Sequence, residues 1–158
     1  MLEIYVDGDA CPVKAEVERV AERHRLTVTV VSNGGLRPSR NPLVRHVTVA
    51  AGADAADDWI VEHAGDGDIV ITADIPLASR SLQKGARVLG PTGKAFTEAG
   101  IGMALGLRDL HRHLRESAPG GQTFNAGFTR QDRSRFLGAL ENEIQAVRRA
   151  FAAFKPSP

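Results

Sequence analysis

Five short aliphatic runs rich in β-branched residues recur along the chain, and helical periodicity fills most of the intervals between them. The runs are "LEIYV" (2–6), "LTVTVVS" (26–32), "VRHVTVA" (44–50), "DIVIT" (68–72) and "ARVLG" (86–90), each of strand length and too short for a stable helix. In "CPVKAEVERVAERHR" (11–25), Val13, Val17, Val20 and Ala21 share one stripe at 3.6-residue spacing, and Pro12 suits a first turn. "DAADDWIVEHA" (54–64) predicts a short helix with an acidic start, and "PLASRSLQKG" (76–85) one ended by Gly85. A polar loop, "NGGLRPSRNP" (33–42), separates the second and third runs. Strands alternating with helices at this pitch imply an α/β fold, a mostly parallel sheet with helices on both faces in a Rossmann-like three-layer arrangement.

The last third reads differently. "TEAGIGMALGLRDLHRHLRES" (97–117) and "TRQDRSRFLGALENEIQAVRRAFAAF" (129–154) are helical in pattern, joined by a glycine-rich "APGGQTFNAG" (118–127). The final helix gathers Phe136, Leu137, Leu140, Ile144, Val147 and Phe151 on one face, opposite Arg130, Arg133, Arg135, Arg148 and Arg149. A length of 158 residues suits one domain with a real core. The expectation is a single domain over 1–158, its core about 1–117, with a C-terminal helical segment about 128–155. No apolar run approaches the roughly 20 residues that span a bilayer, and the chain enters a strand pattern at once, without a basic leader. Its only cysteine, Cys11, excludes an internal disulfide and suits a reducing cytoplasm. Among the histidines, His111 and His113 are two apart, a spacing that turns them away from a shared helix face, so zinc is not expected. The expectation is a cytoplasmic protein with no membrane association and no organic cofactor, with homo-oligomer formation left open.

Acidic residues collect where strands end. Asp7 and Asp9 follow the first run in "IYVDGDACP" (4–12), Asp54, Asp57 and Asp58 open the helix after the third, and Asp74 follows the fourth. In an open parallel sheet, ligands bind beyond the carboxyl ends of the strands at a switch in strand order. Carboxylates converging there repel, by roughly 4 kcal/mol for a pair about 4 Å apart at an effective dielectric near 20. A hard divalent ion, Mg²⁺ or Mn²⁺, removes that cost through oxygen ligands and can activate water against a phosphodiester. Capping competes for some of these residues, since aspartate at a helix start satisfies free N–H groups. Asp54 fits that role, and Asp9 could equally cap the helix at Pro12. Asp57 and Asp58 are harder to explain as caps, and Asp7 and Asp74, at the ends of apolar strands, are the foremost functional candidates.

Taken in order, "VDGDACPVK" (6–14), "GADAADDWIV" (52–61) and "DIVITADIPLA" (68–78) closely resemble the YaiI/YqxD-like family of bacterial proteins, and "GPTGKAFTEAGI" (90–101) and "FTRQDRSRFLGAL" (128–140) are similar to its later segments. That family in turn resembles the PIN-like nucleases. The resemblance implies a PIN-like fold and an acidic metal site. It puts Asp7 at the first ligand position, Asp57 or Asp58 at the second and Asp74, in "TAD" (72–74), at the third. On this basis Asp7, Asp58 and Asp74 are the expected catalytic metal ligands, with Asp9, Asp54 and Asp57 as alternates or groups acting through water. The implied function is metal-dependent hydrolysis of RNA or another phosphodiester. Two departures stand out. The family's usual Asp-Ala-Asp is Asp7-Gly8-Asp9 here, and the PIN glutamate between the first two positions has no counterpart. Glu16, Glu18 and Glu22 come too early, and Asn33 is the nearest polar residue.

Charge supplies a possible substrate rim. Residues 1–79 carry 7 Lys and Arg against 13 Asp and Glu, whereas residues 80–158 carry 13 against 6. Lys14, Arg37, Arg40, Lys94, Arg130 and Arg133 are candidate phosphate contacts, although solvated faces account equally for such residues. The same fold could bind RNA or a partner without cutting. "VDGDA" also resembles the Asp-x-Asp of haloacid-dehalogenase-type phosphatases, where the first aspartate is the nucleophile. Ala10 and Cys11 depart from that motif, and Lys14 is the only lysine between Asp9 and Asp54. Cys11 lacks a phosphate loop and reads as packing. "GPTGKA" (90–95) lacks the spacing and the hydroxyl of a P-loop and reads as a tight turn, with Thr97 capping the next helix. Trp59 reads as packing, since an aromatic content of 5% gives little support to base stacking.

Overall fold

The computed structural model describes residues 2–34, 38–50, 52, 54–102 and 128–153. The elements run β1 (Glu3–Asp7), a 3₁₀ turn (Gly8–Ala10), α1 (Lys14–His24), β2 (Thr27–Ser32), β3 (Val44–Thr48), α2 (Ala55–His63), β4 (Ile69–Ile71), α3 (Ile75–Gln83), β5 (Arg87–Leu89), β6 (Ala95–Phe96) and α4 (Arg130–Ala153). Residues 98–102 are helical. The rest of the helix expected over 97–117, and the segment 118–127, lie outside the described residues.

Six strands form one sheet in the order β3-β2-β1-β4-β5-β6. The first five are mutually parallel, and β6 pairs antiparallel with β5. Because successive strand residues point to opposite faces, β1 and β4 each serve two cores. Ile4, Val6, Ile69 and Ile71 join Leu89, the α1 stripe (Val13, Val17, Val20, Ala21) and the α4 residues Phe136, Leu140, Ile144 and Val147. Tyr5, Val70 and Val88 join Ala56 and Ile60 of α2 and Leu77 and Ala78 of α3. The α/β three-layer expectation is met.

The C-terminal helix is part of the core. Phe136, Leu140, Ile144 and Val147 of its apolar stripe are buried as the periodicity predicts, whereas Leu137 is partly buried and Phe151, expected on the same face, is exposed. Polar ties hold the helix from several sides. His24 and Arg23 at the end of α1 meet Glu141, and Arg148 donates to both the ring Nδ1 (2.9 Å) and the carbonyl (3.2 Å) of His24. Arg87 of β5 pairs with Glu143. Arg133 donates to the Pro12 carbonyl (3.1 Å) and to Glu16 (3.0 Å). Of the five arginines on the opposite face, Arg133 and Arg148 are thus committed to α1 and the turn before it.

"GPTGKA" is the tight turn expected, closed by Gly90 N–H to the Lys94 carbonyl (2.8 Å) and Gly93 N–H to the Gly90 carbonyl (3.0 Å). Thr97 Oγ1 accepts from Gly100 N (3.0 Å), capping the helical turn over 98–102. Gly93 has φ +89°, and a Cβ there would meet the backbone of Arg135 at 2.8 Å and Phe136 N at 3.0 Å. Both the left-handed backbone and the close approach to α4 require glycine. Gly93→Ala is expected to cost about 2–3 kcal/mol, read from the urea midpoint at unchanged m-value. A loss below about 0.5 kcal/mol would show that the turn and α4 are not packed this tightly.

Candidate functional site

Strand order reverses between β1 and β4. The chain leaves β1 through α1 toward β2 on one side, while β4 lies on the other, so the crevice beyond these two strands is the switch point where open α/β sheets bind ligands. The register pairs Val6 with Ile71, which brings Asp7 and Thr72, one step further, alongside each other. A cavity of about 370 Å³ opens there, lined by Asp7, Cys11, Ile71, Thr72, Ala73, Asp74, Ile75 and Pro91.

Thr72 organises this edge. Its buried hydroxyl donates to Asp7 Oδ2 (3.0 Å) and accepts from Asp74 N (3.0 Å). Asp74 in turn caps α3, its Oδ1 accepting from Leu77 N (2.9 Å), an arrangement helped by Pro76 near the helix start. Asp74 keeps a second oxygen and an exposed position, so capping and facing the crevice are compatible. Burial pushes the Asp7 carboxyl above its ordinary value, with Asp74 and Asp9 adding to the effect and the Thr72 hydroxyl opposing it.

The third carboxylate is Asp57. Burial and then the charges of Asp74, Asp7 and Asp54 push it up to about 6, against the pull of Arg80. Asp58 is placed otherwise, on the exposed side of α2 and paired with Arg80 at 2.9 Å. Of the two residues that the resemblance offers for the second ligand position, the structure thus sets Asp57 near Asp7 and Asp74 and Asp58 against Arg80. Asp54 stands at the N-cap position of α2 without a side-chain hydrogen bond, so the capping reading does not describe it. Asp9 does not cap α1 either. That helix starts at Lys14 behind Val13, and both Asp9 oxygens accept from Asn33 N (3.2 Å each), tying the turn after β1 to the end of β2. The parallel β1–β2 pairing carries both turns to the same edge.

Asp57 makes a pH prediction with a definite sign. Its folded value lies above the ordinary carboxylate value, so the folded state binds the extra proton. The stability associated with that proton is complete below about pH 4 and is lost as pH rises through about 6. Asp57→Asn is expected to raise the melting temperature at pH 7.5, with the gain shrinking as pH falls from 6 to about 4. A gain equal at all pH values would mean that neither burial nor its acidic neighbours raise Asp57.

The candidate cations divide. Arg37 lies outside the described residues. Arg40 and Lys94 are exposed, the latter on the turn beside Pro91, and Arg130 is exposed at the start of α4. Lys14 lines a separate cleft with Glu18, Ser39 and His46. Arg133, held by Pro12 and Glu16, is a structural tie. Arg80 has no counterpart among the sequence candidates, and its one sequence signal is that it is the sole cation of α3. Cys11 packs partly buried against the first core, where burial pushes its thiol up and away from nucleophilic use. Trp59 packs partly buried against the second core and stacks on His63 at 3.7 Å between ring centroids.

Among the described residues, no group of three or more His, Cys, Asp or Glu side chains is gathered closely enough to form a metal cage. The donors at the crevice are carboxylate oxygens of Asp7 and Asp74 with Asp57 nearby, a set suited to a hydrated hard ion held by one or two carboxylates rather than to a dehydrated structural metal. Burial is the largest cause of the raised Asp57 value, and the repulsion from Asp74, Asp7 and Asp54 that adds to it is the part such an ion would relieve. Among the described residues no helix is long and apolar enough to cross a membrane.

Fold and crevice together define a doubly wound α/β protein with an acidic site at its switch point. The chain belongs to the family described as "Uncharacterized BCR, YaiI/YqxD family", which it matches over residues 5–146. It is 61% identical over 153 residues to a UPF0178 protein of Mesorhizobium japonicum, covering 97% of this chain and 96% of that one. It is 60% identical over 151 residues to one of Parvibaculum lavamentivorans (94% and 97%) and 59% identical over 151 residues to one of Rhodospirillum rubrum (94% and 99%). No solved structure matches the chain.

Proposed function

We propose that the protein is a metal-dependent phosphodiesterase acting on RNA, with Asp7, Asp57 and Asp74 as the acidic centre. The observation that carries this reading is that Thr72 links Asp7 and Asp74 at the switch-point crevice, near Asp57, which burial and then the charges of Asp74, Asp7 and Asp54 push up to about 6. Perturbed acids at a cleft mark functional sites. The likeness of the Asp7, helix and "TAD" motifs to PIN-type nucleases supports the choice of substrate. Asp7, Asp57 and Asp74 would hold Mg²⁺ or Mn²⁺, which supplies charge neutralisation for a phosphodiester and lowers the pKa of water. Thr72 fixes the Asp7 carboxylate and the Asp74 backbone in one network, so two acids keep their orientation before substrate arrives. Asp58 is assigned to Arg80, and Asp9 to the Asn33 amide, which leaves both as supports for the rim.

A second reading, a non-catalytic RNA-binding protein, is favoured by the lack of a three-ligand group among the described residues. The aspartyl-phosphatase reading finds no lysine among the residues lining the crevice. Incubation of mixed-sequence single-stranded RNA with Mg²⁺ or Mn²⁺ separates these. Ion-dependent cleavage supports the hydrolase. Binding without cleavage under either ion, and without an ion-dependent thermal shift, supports the second reading. A base-labile phosphate on Asp7 after exposure to a phosphomonoester would revive the third.

A further inference from the structure

Arg80 of α3 and Asp58 of α2 face each other, Nη1 to Oδ1 at 2.9 Å, with side chains 44% and 56% exposed. Neither lines the crevice itself, but Asp58 follows Asp57, whose carboxyl feels Arg80 together with Asp7 and Asp74. Such an exposed pair adds little to stability, because water screens it and two side chains lose freedom to form it. Its position matters more. Arg80 is the sole cation of the helix that Asp74 caps, and the residues lining the crevice include neither lysine nor arginine. Arg133 is already held by the Pro12 carbonyl and Glu16. Lys14 opens on a different cleft.

We infer that Arg80 is the residue that grips a backbone phosphate of single-stranded RNA at the crevice, and that Asp58 holds its guanidinium in place while no substrate is bound. This rests on the phosphodiester reading of the site. A planar guanidinium fork binds carboxylate and phosphate in the same two-pronged way, so the Asp58 carboxylate stands in for the phosphate. Exchanging one anion for the other costs little in an exposed pair, and the strand gains by releasing counterions. Asp58 thereby lowers affinity and keeps the fork oriented.

The test is anisotropy of a labelled single-stranded RNA in EDTA, from about 50 to 200 mM salt, with wild type, Arg80→Ala, Arg80→Lys and Asp58→Asn. Arg80→Ala is expected to bind roughly tenfold more weakly at low salt and to flatten the logarithmic salt slope by about 0.7, one phosphate contact on a single strand. Arg80→Lys keeps the slope and loses part of the affinity, because the point charge remains and the fork does not. Asp58→Asn binds more tightly than wild type. Equal affinities and slopes for wild type, Arg80→Ala and Asp58→Asn overturn the assignment, as does wild type that binds no RNA. With EDTA present no cleavage is read, so the hydrolase reading stands or falls separately. A protein whose RNA binding depends on Arg80 but which never cleaves keeps this assignment and loses the enzyme.

Discussion

Truncating Phe136 to alanine is expected to lower the unfolding free energy by about 3–5 kcal/mol, the range for removing a buried aromatic ring. Phe136 is fully buried in the same cluster as Ile4, Val6, Ile71 and Leu89. The size of the loss depends on whether α4 can settle into the space the ring leaves. It is pinned on several sides: by Arg133 to the start of α1, by Glu141 and Arg148 to its end, by Glu143 to β5, and by the Gly93 turn against its backbone. The cavity should therefore persist, placing the cost in the upper part of the range. For a chain of this size the melting temperature would fall by roughly 6–20 °C. Arg149→Ala on the exposed side of the same helix serves as the control, expected within about 0.5 kcal/mol of wild type. If Phe136→Ala loses less than about 1 kcal/mol, α4 lies against the domain without forming its core.

The strands and main helices were legible because burial imposes a period on sequence. Val13, Val17, Val20 and Ala21 are all buried where a 3.6-residue stripe puts them, and the β-branched runs 26–32 and 44–50 became β2 and β3 with small shifts at their ends. Pro12 was assigned to a first turn, whereas α1 begins at Lys14, because the 3₁₀ turn and the Asp9–Asn33 tie hold the chain after β1 in another conformation. The two-residue β6 carries no pattern of its own and exists through its pairing with β5. Strand order depends on contacts distant in sequence, so nothing local announced that β1 and β4 would be neighbours. The choice between Asp57 and Asp58 was open to a sharper reading. Ala56 and Ile60 are the buried positions of α2, and at about 100° per residue Asp58 lies about 160° around the helix from each, on its far side. Asp57 lies nearer Ile60, on the flank that approaches the sheet edge. The Arg80–Asp58 pair was not legible because it depends on α3 meeting α2, a contact that the spacing of one helix does not encode.

Asp7→Asn and Asp74→Asn are each expected to reduce ion-dependent RNA cleavage at least a hundredfold, because a divalent ion supplies several kcal/mol of charge stabilisation and about 1.4 kcal/mol is tenfold in rate. Both substitutions keep shape and hydrogen bonding. Asparagine at 74 can still accept from Leu77 N and cap α3, and asparagine at 7 can still accept from the Thr72 hydroxyl. What each removes is one of the charges that raise Asp57. Activity should therefore collapse while the melting temperature without ion holds or rises, and the Asp57 titration, followed by carboxyl NMR, should move down from about 6 toward the ordinary carboxylate range. A residue needed only for folding would lower both activity and stability. Unchanged cleavage in both variants would place any nuclease chemistry outside this crevice, whereas an unmoved Asp57 would separate it from Asp7 and Asp74. Because crowded carboxylates cost stability in the free protein, the opposed changes in activity and melting temperature are what distinguish an ion-binding centre from an acidic cap.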